Sequence, residues 1–311
     1  MKTPRCLLLT LWMASSALAA SPLPGGSDVH IPIVSTGDGP RFCLDYCNFQ
    51  GVDNKTYVEF YVQVSYSELQ FIKHKDRFKA GYHLKLTILD EFDQVVETQE
   101  TNDQFQVDSF AETVSTQKAR ASLMAFTLKP TTYRVKALVR DLETMHATRI
   151  EQELQLGDFR APNLLMSDIQ LSSKIEPGED GQPYVKNSRY ILPNASRIFA
   201  HGLNESIFIY FEVYNLLYDQ LKPQATYTTR FTFLNGDGEP IASFARTHPK
   251  PGPTSAHSMK FPLSYFPNGN YKLIIQTRDD ATGQTCESVR DFSVLDWSIA
   301  LSEENLHLWP R

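Results

Sequence analysis

The side chains in this chain best suited to bind a metal or to act as nucleophile and base are its four cysteines and eight histidines, and their spacing supports neither chemistry. Cys6 lies in the first apolar run, which leaves Cys43, Cys47 and Cys286. If residues 42–47 are extended, the Cα atoms of Cys43 and Cys47 lie about 13 Å apart, too far for a disulfide. They read as buried thiols in a strand. The histidines His30, His74, His83, His146, His201, His248, His257 and His307 are scattered, and no His-Glu-x-x-His, Gly-x-Ser-x-Gly or Gly-rich phosphate cradle is present. The acidic stretches 89–94 and 234–239 read as hairpin turns, in which Asn and Gly supply the positive φ such turns demand. A calcium loop of the EF-hand type needs a longer, regular ligand series ending in Glu. No catalytic, cofactor-binding or metal-binding residue is therefore assigned. The residues singled out for contact with a partner are loop tyrosines and acids: Tyr66, Glu68, Asp237 and Glu239.

The elements that must position such loops repeat. Tyr133 to Asp141 and Tyr271 to Asp279 share one grammar at a shift of 138, with Arg140 matching Arg278 and Thr144 matching Thr282. Residues 60–64 match 209–213, and 82–89 match 227–234, at shifts of 149 and 145. A falling shift places the insertions of one copy in loops, where length change is tolerated.

Strands are expected at 42–49, 57–65, 82–89, 94–99, 122–127, 133–140 and 149–156. After a break at 157–162 they are expected at 164–171, 190–192, 197–200, 206–214, 226–234, 239–245, 257–261, 271–278 and 287–295. These segments are short, rich in Val, Ile, Phe, Tyr and Thr, and punctuated by Gly, Pro, Asn and Asp. Residues 118–124 carry some helical character that one turn would satisfy. The fold class is all-β: two tandem immunoglobulin-like antiparallel β-sandwiches, 41–160 and 161–296. Tyr133 and Tyr271 suit the tyrosine corner of such a domain, and the Arg-Asp pairs behind them an ion pair or a turn.

With 41% apolar and 21% charged residues, the composition is that of a soluble globular protein. Residues 1–20 read as a secretory leader, with Lys2 and Arg5, an apolar run, and Ala17-Leu18-Ala19 at a cleavage site. Without it the chain holds 28 basic and 36 acidic residues (30 − 2 against 36), a net charge of −8. With no basic cluster, nucleic acid is disfavoured as a partner. Residues 21–40 read as a flexible lead and 297–311 as a short helix-like tail. No stretch has the apolar length of a membrane helix.

The run Tyr61-Val62-Gln63-Val64-Ser65-Tyr66-Ser67-Glu68-Leu69-Gln70-Phe71, with Gly81-Tyr82, and the later Asn268-Gly269-Asn270-Tyr271 with Arg278-Asp279, resembles the amino-terminal region of bacterial GWxTD-domain proteins. The Gly-Trp-x-Thr-Asp motif itself is absent from this sequence. The resemblance implies an envelope or secreted protein, periplasmic or extracellular. The expectation is a non-enzymatic binding or scaffolding protein whose partner is another envelope protein. The alternatives are a carbohydrate-active or hydrolytic module with a loop-borne site, and a truncated relic of a GWxTD-domain protein.

Overall fold

The computed structural model describes residues 33–35, 38–219 and 225–296; the expected leader, most of the expected lead and the expected tail lie outside them. The first half contains β1 (Ile33–Val34), β2 (Phe42–Gln50), β3 (Thr56–Ser65), β4 (Ile72–His74), β5 (Arg77–Leu89), β6 (Val95–Val107), β7 (Ala119–Leu128), β8 (Thr132–Asp141) and β9 (Ala147–Gln155). The second contains β10 (Leu165–Met166), β11 (Gln170–Pro177), β12 (Val185–Lys186), β13 (Arg189–Pro193), β14 (Ile198–His201), β15 (Ser206–Tyr214), β16 (Thr226–Asn235), β17 (Pro240–Pro249), β18 (Ser255–Pro262), β19 (Gly269–Asp279) and β20 (Thr285–Asp296). Among the described residues, no strand of one half pairs with a strand of the other. The chain passes between halves through the irregular stretch 156–164, which contains the break expected at 157–162.

Each half is a sandwich. One sheet carries β2-β3-β7 in the first half and β11-β15-β18 in the second; the other carries β6-β5-β8-β9 and β17-β16-β19-β20. The fourth long strand pairs with the third, as the added strands of variable-type immunoglobulin domains do. The strands alternate between core and exterior because their side-chain period is two. Val58, Phe60, Val62 and Val64 of β3 enter the first core, and Ile207, Ile209, Phe211 and Val213 of β15 the second.

Residues 118–124 form no helix; 119–128 are strand β7, whose inward positions Ser122, Met124, Phe126 and Leu128 are buried. The alternation of Ala, Ser and Leu suits either period, and packing against β3 selects two. The short α-helix α1 lies earlier, at Phe110–Thr113. The segment expected at 164–171 is broken at 167–169, and β11 runs on to Pro177, where a loop was expected.

Repeated turns hold the repeated strands. Tyr271 donates its hydroxyl hydrogen bond to the carbonyl of Pro267 at 2.6 Å, and Tyr133 bonds the backbone of Lys129, four residues upstream in both copies. After each tyrosine-led strand an aspartate closes the turn. Asp141 accepts the N–H groups of Glu143 and Thr144 and, from the turn after β3, that of Gln70; Asp279 accepts those of Ala281, Thr282 and Leu217. Met145 and Gly283 occupy the same left-handed position, φ 64° and 74°. The Arg-Asp pairs are thus turn closures made by the aspartate. The hairpin turns match as well: Asp90 accepts from Phe92 and Gln94, and Asn235 from Asp237 and Glu239.

The outer faces of the sheets that carry β2-β3-β7 and β11-β15-β18 pack on each other. Cys47, Phe49 and Tyr61 from the first sandwich meet Ile191, Ala195 and Tyr210 from the second in a third buried cluster, flanked by Cys43, Tyr57, Leu123, Ile175 and Ala256. The molecule is therefore four sheets deep, and β2 and β3 are buried on both faces.

Polar groups at this junction are paired. Asp45 of β2, 3% exposed, receives the guanidinium groups of Arg197 and Arg290 from the second sandwich, the latter at 2.6 Å. Arg290 also donates to the carbonyl of Tyr46 at 3.0 Å. Burial pushes the Asp45 carboxyl upward, but the two guanidiniums outweigh it and hold it below the usual carboxylate range. Nearby, Lys186 donates to Glu59 at 2.6 Å and lies 3.8 Å from the centroid of the Phe49 ring. Burial raises the thiols of Cys43 and Cys47 to about 12, so both are protonated and unreactive at neutral pH.

Candidate functional site

One group of exposed apolar side chains lies at one end of the first sandwich, beside a cluster of aromatic rings. The one-turn stretch after β3 begins at Tyr66, anchored by its N–H on the carbonyl of Lys118 at 2.9 Å. Its ring sits 4.9 Å from that of Phe105 on β6 and 6.0 Å from that of Phe71; Phe71 and Phe105 meet edge to face at 5.7 Å. The Arg120 guanidinium lies 5.5 Å from the Phe105 ring and is fixed by Asp103 at 2.8 Å. Beside this group, Phe78 on β5 meets Phe110 of α1 at 6.0 Å.

Three apolar side chains here face solvent: Phe110 at 66%, Val114 at 56% and Ile72 at 41% exposure. The turn that presents Phe110 is tied down, because Glu112 accepts the N–H groups of Asp108 and Ser109 and pairs with Lys118. The hydrogen bond from Lys118 brings the Glu112 carboxyl down to about 2, so the tie holds across the physiological range. A shallow cavity of about 300 Å³ opens between His74, Lys79, Gln104, Phe105 and Gln106. Rigid aromatic rings with a cation beside them and a polar rim have the makeup of a protein-binding surface.

The residues singled out from the sequence fall in two places. Tyr66 is part of the aromatic group, and Glu68 beside it accepts from the Arg41 side chain at 2.9 Å and from its backbone at 3.1 Å. Asp237 and Glu239 stand exposed on the β16–β17 hairpin of the other sandwich and are not brought to this end. Sequence reasoning missed Phe71, Ile72, Phe105, Phe110 and Val114. Their signal is local: Phe105 and Phe110 are the two aromatics in the run 101–112, whose other apolar residues are Val107 and Ala111.

A second polar group lies on the flank of the second sandwich. The Tyr227 hydroxyl bonds Ser255 Oγ and His257 Nε2, both at 2.7 Å, and the His257 ring stacks on Phe211 at 4.9 Å while His248 stacks on Tyr227 at 5.2 Å. The matching place in the first sandwich holds Tyr82, hydrogen-bonded to Ser122 at 2.7 Å, beside the Asp103–Arg120 ion pair. Burial, then the neighbouring His248 and Arg189, push His257 down to about 4. The unfolded chain then binds a proton that the folded chain refuses between about pH 6.5 and 4. Stability is complete above that window and falls as pH drops through it, by about 3 kcal/mol at pH 4 from this residue. Urea unfolding at pH 7 and pH 4 of the protein and of His257→Gln is expected to show a smaller pH difference in the variant; equal differences would contradict the assignment.

Among the described residues, no group of three or more His, Cys, Asp or Glu is placed to hold a metal ion. No described helix is long and apolar enough to cross a membrane.

No protein-family model matches the chain, and no curated protein matches it. Among solved structures, the chain is similar to a β-glucuronidase of Bacteroides uniformis (10% identity, 76% of this chain and 26% of that one, TM-score 0.27). It is also similar to dimeric latent PorU from Porphyromonas gingivalis (11% identity, 86% and 20%, TM-score 0.28) and to a putative β-galactosidase of Bacteroides fragilis (12% identity, 79% and 34%, TM-score 0.23). The chain thus spans between a fifth and about a third of those proteins. The class defined by the strands themselves is an all-β protein of two immunoglobulin-like sandwiches.

Proposed function

We propose that this is an exported, non-enzymatic binding or scaffolding protein of the bacterial envelope, and that it grips another envelope protein through the aromatic end of its first sandwich. The observation that carries the reading is the group of Phe110, Val114 and Ile72, left in solvent around a rigid aromatic cluster. Such a surface costs solubility unless a partner covers it. The leader-like amino terminus and the resemblance to GWxTD-domain proteins support the compartment. The stacked sandwiches support a spacer or scaffold role, since the site is carried on a body with a buried internal junction.

The test is affinity capture from envelope extract with the intact protein and with the double variant Phe110→Ser, Val114→Ser, both exposed positions. A partner held by the intact protein and reduced about tenfold or more with the variant is expected, since truncating an interface hot spot costs about 2 kcal/mol or more. Equal retention by both would place the contact elsewhere, and retention by neither would remove the reading's main support.

A further inference from the structure

Strands β6 and β17 stand at matching edges of their sheets, each the partner of the strand before it, and differ in one respect. Among the described residues, both β6 and β17 pair on one side only, with β5 and β16. An edge of this kind is a template for another strand unless charge, proline or cover protects it. Strand β6 is guarded by Glu97, Glu100 and Asp103, and β7 on the same flank has its carbonyls at Ala121 and Ala125 taken by Tyr184 and Gln99. Strand β17, Pro240-Ile241-Ala242-Ser243-Phe244-Ala245-Arg246-Thr247-His248-Pro249, carries no carboxylate and one formal charge, Arg246. Its prolines are confined to its two ends, and eight of its ten residues are exposed, all but Phe244 and His248.

The direction of its free hydrogen-bonding groups is fixed. Lys250 donates its N–H to the carbonyl of Ala225 ahead of β16, so alternate residues 248, 246 and 244 turn toward β16. Ser243, Ala245 and Thr247 turn their N–H and C=O groups to solvent, ahead of the irregularity between Phe233 and Leu234 where β17 shifts register.

We infer that β17 is a self-association edge: two copies of this chain pair their β17 strands antiparallel about a two-fold axis at Ala245. In that register Ser243 faces Thr247 of the second copy, Ala245 faces its own equivalent, and each of these pairs exchanges two backbone hydrogen bonds. Arg246 lies opposite Phe244 and never opposite another Arg246, so the strand's single charge meets an aromatic ring rather than a like charge. The same operation on β6 would bring a row of carboxylates against itself. The closed two-fold uses the edge once and ends in a dimer. This inference is independent of the partner surface on the first sandwich, which lies at a different strand edge and end.

The experiment is sedimentation equilibrium of the purified protein up to about 100 μM, alone and as Ala245→Glu, Ala245→Lys and their equimolar mixture. Ala245 is exposed, and thermal melting of each variant reports whether it folds as the parent does. The parent is expected to form dimers, and each variant to dimerise about fivefold more weakly or worse, since like charges then stand directly opposite. The mixture is expected to recover dimer as a Glu-Lys heterodimer. A parent that stays monomeric, species larger than dimers, or variants that dimerise like the parent would each overturn the inference.

Discussion

Replacing Asp45 with alanine is expected to destabilise the protein by about 3–5 kcal/mol, the cost of breaking a buried ion pair by removing one partner. The reason is the junction. Asp45 comes from the first sandwich, and the two arginines it satisfies, Arg197 and Arg290, both come from the second and are 3% and 7% exposed. Without the carboxylate, two buried guanidiniums lose the charge they share, and burial and like-charge repulsion then act together. The loss falls on the contact between sandwiches, so the variant's denaturant unfolding, read by circular dichroism and by aromatic fluorescence, should separate into two steps in which the second sandwich melts first. Coincident curves at the parent's midpoint would contradict it. Because the folded Asp45 carboxyl lies below its unfolded value, its contribution is present above about pH 4 and is lost as pH falls through the folded value.

Asp279→Ala is expected to cost about 4–5 kcal/mol, at the upper end for a buried pair. Lys250 and Asp279 have side chains 1% exposed and are joined at 2.6 Å, with a further bond from the ammonium to the carbonyl of Leu217 at 2.9 Å. Burial raises Asp279, but the hydrogen bond from Lys250 and the N–H groups of Leu217, Ala281 and Thr282 outweigh it and hold the carboxyl low. Removing the carboxylate therefore strands a buried ammonium and leaves three amides without their acceptor. The first sandwich supplies the comparison. Asp141 holds the same turn with amides alone and no lysine, which shows that the amide cage suffices for a carboxylate. Asp141→Ala should accordingly cost less, about 1–3 kcal/mol, and Lys250→Met should be milder than Asp279→Ala. Chemical denaturation of the three variants gives the order directly; a Lys250→Met variant as damaged as Asp279→Ala would contradict it.

Much of this was legible in the sequence because strand period and turn chemistry are local. Tyr133 and Tyr271, Asp141 and Asp279, and the hairpin residues Asp90 and Asn235 each act within a few residues of themselves, so matching spacing translated into matching hydrogen bonds. The stacking of the sandwiches was not legible. Arg197 and Arg290 lie 152 and 245 positions from Asp45, so no local pattern brings the three together. A hint was present in 42–49 and 57–64, where apolar residues occupy both parities and so leave no face for water. The candidate site was half legible: Tyr66 was singled out as an aromatic in a loop, but its ring neighbours Phe71 and Phe105, and the Phe78–Phe110 pair beside them, come from further segments that only the fold assembles. The reading of 118–124 as partly helical failed because side chains such as Ala and Leu leave the choice of period to packing.

The central structural claim is that the two sandwiches form one body, stacked through the sheets that carry β2-β3-β7 and β11-β15-β18, with Asp45 held between arginines of the other half. A double-mutant cycle with Asp45→Asn and Arg290→Met, read by urea unfolding, tests it most directly. The stacked arrangement predicts that the two substitutions are non-additive, with a coupling energy of about 1.5–3 kcal/mol, as for residues in one buried network. Additivity to within about 0.3 kcal/mol, the behaviour of sites that share no contact, would contradict it.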